Sequence, residues 1–240
     1  MLYILVFILG AVVGSFINVC IYRIPRKESL LWPSSHCPHC GRKIKFYDNM
    51  PIISYIILRG KCKYCKRQIS PQYPLVEALT AFLFLGLYIK FHLSLAYLKF
   101  ILFTTSLVCI SGIDLKEKII PDIIVLPSTL IGGFMSIVLK DMALWNILAG
   151  VFGGAIFLFI VRIVASKIFK REALGEGDIT LIAMIGAYTG IYGVYISIFA
   201  GSIIGSIIGI ILLLFKKQRE IPFGPFLSMG AILAAFLLFK

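Results

Sequence analysis

The sequence has 240 residues, 60% of them hydrophobic, with a mean hydropathy of +0.97. A soluble globular domain is roughly 45–50% apolar. Apolar residues gathered here in long blocks, rather than a 3.6-residue stripe, exclude an ordinary soluble fold and point to an all-α polytopic membrane protein. The net charge of +13 is read as basic loops facing an anionic cytoplasmic leaflet, not as a nucleic-acid surface.

A membrane helix needs about 20 apolar residues. There are eight candidate spans, in chain order 2–22, 75–89, 95–113, 121–139, 144–164, 179–192, 193–215 and 222–239. The first, "MLYILVFILGAVVGSFINVCIY", lacks a basic leading region and an A-x-A cleavage site, and is read as a retained span. The second and sixth are short. The sixth and seventh share one apolar block, too long to cross once, and "YTGIYG" with Gly190 and Gly193 suits a tight turn between them. Eight spans put both termini on one side. Of the 24 Lys and Arg residues, all but Lys90, Lys99, Lys140 and Lys240 fall in the loops of the other side, counting Arg162 at the end of its span. The positive-inside rule then predicts a cytoplasmic loop over 23–74 and outward-facing termini.

That loop holds "CPHCGRKIKFYDNMPIISYIILRGKCKYCK", with Cys37, Cys40, Cys62 and Cys65 in the spacing C-x2-C-x21-C-x2-C. Two close pairs let four thiolates converge on one zinc ion. Gly41 suits the turn after the first pair. Two disulfides are the alternative, which a reducing cytosol disfavours. His36 and His39 are substitute ligands, while Cys20 and Cys109 read as packing residues. A loop of this size has little core, so zinc would staple it. "IISYIIL" is expected as a strand or a segment along the membrane surface.

Three carboxylates stand at the edges of spans. Asp114 closes the third, Asp122 opens the fourth after Pro121, and Asp178 opens the sixth in "GEGD". All three fall at the same predicted membrane boundary. Burying an unpaired carboxylate costs several kcal/mol, so such positions need a reason. Asp114 and Asp178, on different helices at one depth, are expected to meet and share a proton, one as general base on water and the other as general acid. Gly175 and Gly177 are expected to leave room for a substrate backbone beside Asp178. Helix capping is the competing explanation. It fits Asp122 well and Asp178 in part, but not Asp114 near a helix C-terminus. A proton-coupled transporter is a further alternative, which would be expected to place carboxylates nearer mid-span.

"GEGD", "D…IPD" over 114–122, the four cysteines, "GSFINVCIYRIPR", "ISPQYPLVEALTA" and "REIPFGPFL" together resemble the bacterial type IV prepilin peptidases, of the GxGD aspartic protease class. The resemblance implies removal of the leader from prepilins and pseudopilins at the cytoplasmic face of the bacterial inner membrane. It also implies methylation of the new N-terminus from S-adenosylmethionine. It places the catalytic pair on Asp114 and Asp178, the zinc ligands on the four cysteines, and methyl-transfer residues on Gly60, Lys61 and Glu77. The implied organisation is a first span over 1–22, a zinc-binding loop over 23–74 linked to methyl transfer, and a peptidase region over 75–240. Glu176 and Thr180 stand where the family often has methionine and lysine, and Glu176 is expected to add a third carboxylate beside Asp178. Nothing in the sequence specifies an oligomeric state.

Overall fold

The computed structural model describes residues 1–37, 39–170, 174–216 and 221–239. Arg171, Lys217, Arg219 and Lys240, which enter the charge count above, lie outside them, as does Glu220 of the "REIPFGPFL" motif. Among the described residues the regular structure is helical, with two isolated bridge pairs and no strand. Among the described residues, six helices are long and apolar enough to cross a membrane.

The chain divides into two compact units, Met1–Ile89 and Lys90–Lys240. The division falls at the end of the second span, which therefore goes with the first span and the cysteine loop and not with the region after it. In the first unit, α1 (Leu2–Arg23) lies antiparallel to α3 (Gln72–Phe91). Gly10 and Gly14 make the contact close: a Cβ on either would stand 2.7 Å from the Cα of Ala81 or of Glu77. This is the G-x-x-x-G spacing that lets membrane helices approach through small residues. Asn18, one turn further along, donates to the Tyr73 carbonyl at 3.1 Å. Tyr3 with Tyr88 and Phe7 with Phe82 extend the seam as edge-to-face pairs, each 5.3 Å between ring centres. Between these helices, "ISYII" forms the short helix α2 (Ile53–Ile57), not a strand.

The second unit is a bundle of α4 (Leu95–Glu117), α5 (Asp122–Leu139), α6 (Leu144–Leu148), α7 (Gly154–Phe169), α8 (Glu176–Lys216) and α9 (Gly224–Leu238). A π-helical turn over Ala149–Gly153 joins α6 to α7 into one span. Helix α8 is two arms meeting at Gly190, whose φ of 66° and ψ of −170° only glycine adopts readily. The arms fold back on each other. A Cβ on Gly154 would touch both Ile182 and Val194, which a straight helix would hold about 18 Å apart. Asn146 secures the reversal by accepting the Ile191 N–H at 3.0 Å. With α8 divided at Gly190 and the shorter α9 included, the apolar segments number as the hydropathy predicts.

Helices α4 and α9 run antiparallel, with Asp114 beside Gly224 at one end and Phe100 packed near Phe239 at the other. At that second end the fully buried Lys99 pairs with Asp141 at 2.7 Å and lies over the Phe100 and Phe239 rings. The first end gathers the close of α4 and the starts of α5, α8 and α9.

Candidate active site and metal centre

Asp114 and Asp178 come together at that first end. Both are buried, at 5% and 7% exposure, and Asp178 lies within electrostatic range of Asp114. Each has one oxygen held by a glycine N–H. Asp114 Oδ2 accepts from Gly224 at 3.0 Å. Asp178 Oδ2 accepts from Gly175 at 3.2 Å, while the Asp178 N–H returns a bond to the Gly175 carbonyl. Asp178 therefore does cap its own helix, its side chain reaching back to the Gly175 N–H as the acidic member of a capping box does. Asp114 stands at the unfavourable end of α4 but at the N-terminus of α9, where unpaired N–H groups favour an anion. The two carboxylates thus each occupy the positive end of a helix, α8 for one and α9 for the other.

Gly177 has a different use from the one the sequence suggests. A Cβ on Gly177 would stand 2.6 Å from the Ile120 Cβ. The space beside Gly177 is taken by Ile120, not left for a substrate. The Ile120 side chain also reaches Gly224, where a Cβ would stand 2.6 Å from Asp114 Oδ2. Ile120 and Gly224, which sequence reasoning did not single out, are thus part of the site; "IPD" and "FGP" beside the aspartate motifs were the available signal. Glu176 does not join the pair. Its side chain is 82% exposed and bonds Arg162 at 3.0 Å. Asp122 is exposed at the start of α5 and is reached by Thr180 Oγ1 at 3.5 Å.

In the other unit, the ligand atoms of Cys37, Cys40, Cys62 and Cys65 all lie within 4.8 Å of one another. Cys37 and Cys65 sulfurs are 3.9 Å apart. Zn–S bonds of about 2.3 Å in a tetrahedron place sulfurs about 3.8 Å apart, so the cluster has the size for such a metal. All four are free thiols, unlike a pair of disulfides. The cluster is built from one turn used twice. Cys37 N–H donates to Arg42 O and Gly41 N–H to Cys37 O; Cys62 N–H donates to Arg67 O and Lys66 N–H to Cys62 O. Bridges His36–Lys43 and Lys61–Gln68 flank the two turns. Gly41 and Lys66 take the same left-handed conformation, with φ of 68° and 59°. The Cys65 and Tyr64 N–H groups draw the Cys62 thiol down to about 7. At Cys65 the Arg67 N–H pulls the same way, but burial and the neighbouring thiols override it and push that thiol up to about 11. His36 and His39 bond elsewhere, to Ser34 O and to Arg67.

Glu77 is buried, and its Oε2 accepts the Ile52 N–H at 2.7 Å. Gly60 has a φ of 67°, and a Cβ there would meet the Tyr55 ring at 3.0 Å. It serves the turn after α2 and faces a filled space. Lys61 is exposed.

Family comparisons divide the chain at nearly the same place as its packing. The model described as the bacterial peptidase A24 N-terminal domain matches residues 8–91, and that of the type IV leader peptidase family matches 101–210. The prepilin leader peptidase/N-methyltransferase of Myxococcus xanthus is 38% identical over 76% of this chain, which spans 54% of that protein's length. The type 4 prepilin-like proteins leader peptide-processing enzyme of Escherichia coli is 34% identical, with 95% of this chain and 91% of that protein covered. The prepilin leader peptidase/N-methyltransferase of Pseudomonas aeruginosa is 31% identical, with 95% and 87% covered. No solved structure matches the chain. Two matched regions in the family's order, each carrying its own cluster of reactive side chains, and identity that runs almost end to end place the chain in the type IV leader peptidase family.

Proposed function

We propose that this chain is a multi-pass inner-membrane aspartic endopeptidase that removes the leader of type IV prepilins or pseudopilins and methylates the new N-terminus. The observation that carries the peptidase reading is the pair of buried carboxylates, Asp114 and Asp178, each with one oxygen tied to a glycine N–H. Two close buried carboxylates hold one proton between them. In the hydrolysis, the ionised member takes a proton from a water whose oxygen attacks the scissile carbonyl. The protonated member donates to the carbonyl oxygen. The tetrahedral species collapses as the C–N bond breaks, and the leaving nitrogen takes up a proton, leaving a carboxylate and an amine. Gly224 and Gly175 hold the carboxylates in place. Ile120 packs against Gly177 and Gly224 beside them. Asp114 is the fourth residue from the end of α4 and Asp178 the third of α8, so the chemistry belongs at a membrane boundary, unlike a mid-span proton path. The distribution of Lys and Arg supports the cytoplasmic boundary and outward termini.

The four cysteines are the ligands of one structural zinc ion. When bound, zinc joins four thiolates into a closed site that staples a loop with little core. Methyl transfer draws its methyl group from S-adenosylmethionine, and the candidate residues are Gly60, Lys61 and Glu77 of the first unit. The reading rests on the relatives' names and the matched N-terminal region; at Gly60 itself the Tyr55 ring lies where a side chain would stand. The test is direct. Purified full-length protein in detergent is incubated with a prepilin and labelled S-adenosylmethionine. Leader loss by gel mobility together with label in the shortened product is the expected result. A cleaved but unlabelled product would leave a peptidase alone, and an intact prepilin would overturn the proposal.

A further inference from the structure

Between the two cysteine pairs the chain makes a strained turn at Ile52. Ile52 has φ 62° and ψ −51°, and the Ile53 N–H donates to Pro51 O at 2.6 Å. This is a γ-turn in its rare form, and a β-branched residue at positive φ is an outlier that persists only when its surroundings enforce it. Glu77 enforces it, by accepting the Ile52 N–H at 2.7 Å. Ser15 of α1 bonds the same carboxylate. Glu77 lies five residues into α3, about 7.5 Å along its axis, and both α1 and α3 are long and apolar enough to cross a membrane.

The bond therefore fixes the depth of the segment that begins at Ile52. Helix α2 starts at the next residue, level with the second turn of α3. Its isoleucines point away from the protein: Ile53, Ile56 and Ile57 are 49%, 67% and 73% exposed, and Met50 just before them is 44% exposed. No charge interrupts the run from Met50 to Leu58, while Arg59, Lys61 and Lys63 come directly after it. Apolar side chains held out at the level where a span enters the bilayer, with cations next in sequence, match the boundary between acyl chains and anionic headgroups. We propose that residues 50–58 are an interfacial membrane anchor, with the α2 isoleucines seated in lipid and the Glu77–Ile52 bond as the pin that sets their depth. The proposal rests on α1 and α3 spanning the bilayer and not on any catalytic assignment.

The test uses the full-length chain with Trp32→Phe and Trp145→Phe, which removes both native tryptophans, and Ile56→Trp as reporter. The protein is placed in vesicles of phosphatidylcholine and phosphatidylglycerol, with or without bromine on the acyl chains. Blue-shifted emission quenched at least about twofold by bromolipid is expected. Emission typical of water, or blue-shifted emission that bromine leaves unchanged because protein covers the site, would overturn the anchor. Glu77→Gln keeps an oxygen to accept the Ile52 N–H and should keep the quenching, whereas Glu77→Ala should weaken it. Equal quenching in both variants, or equal loss, would remove the pin. Metal content measured on each variant shows that the cysteine loop has folded.

Discussion

Asp114 and Asp178 meet the cost of burial in the same way, by borrowing the N–H groups at the start of a helix. For Asp178 the helix is its own, and for Asp114 it is α9, 110 residues further along the chain. Asparagine keeps the shape of either side chain but can be neither base nor acid. Asp114→Asn and Asp178→Asn are each expected to lower leader cleavage at least about 100-fold at matched expression, measured by gel mobility of a prepilin. Asp122→Asn removes an exposed carboxylate outside the pair, and cleavage within about twofold of wild type is expected. Gly224→Ala tests the support of the pair. A methyl group 2.6 Å from Asp114 Oδ2 must displace the carboxylate, and a displacement on that scale costs about 100-fold in rate. The same gel assay reads this loss, and near-wild-type cleavage would show that the Gly224 contact does not set the geometry. The depth of the carboxylates was legible in the sequence because the ends of spans fix it. Their supports were not. Gly224 and Ile120 matter through contacts made only once four helix ends meet, and the bond from Glu77 to Ile52 joins residues with no sequence pattern between them.

At the level of elements, the cysteine turns repeat with a shift of 25 residues, Cys37 answering to Cys62 and Arg42 to Arg67. The first turn uses glycine at its left-handed position and the second uses Lys66. Nothing lies within 4 Å of a Cβ built on Gly41. Gly41→Ala therefore meets only the backbone penalty, about 1 kcal/mol, or about fivefold in zinc affinity. Lys66→Gly should hold zinc at least as well as wild type. Chelator competition on the purified protein measures both, and Cys37→Ser with Cys40→Ser should lose the metal outright. Hydropathy made the spans legible, and an apolar block too long for one crossing revealed the reversal at Gly190. The capping of that reversal by Asn146 and the π-helical turn beside it were not legible, since both answer to a neighbouring helix. The G-x-x-x-G of Gly10 and Gly14 was present in the sequence as a signal, but only the close approach of α3 shows which face it serves.

The two units divide the chemistry of the whole molecule. The aspartate pair and its glycine supports lie within Lys90–Lys240, while the cysteine cluster, Gly60, Lys61 and Glu77 lie within Met1–Ile89. If the proposed activities respect that division, they are separable by supplying the intermediate between them. On an intact prepilin, Asp178→Asn should abolish both leader loss and methyl incorporation, because no new amine appears. On a pilin already lacking its leader, the same variant should transfer methyl groups at close to the wild-type rate. Glu77 gives the opposite test. An amine must lose a proton to attack a methyl sulfonium, and a carboxylate acting as base for that proton would fail on replacement by glutamine. A carboxylate that only holds the Ile52 N–H would not, because an amide oxygen accepts the same bond. The geometry favours the second role, as the Glu77 oxygen is already engaged by Ile52 at 2.7 Å. Glu77→Gln is therefore expected to methylate the pre-cleaved pilin within a fewfold of wild type, and Glu77→Ala to lose most of that activity while cleavage by the other unit continues. Labelled S-adenosylmethionine and a gel read both steps in one reaction. Strong loss of methylation in Glu77→Gln, with the zinc content intact, would assign the base role to this carboxylate. Loss of methylation in Asp178→Asn on the pre-cleaved substrate would show instead that the two units do not work independently.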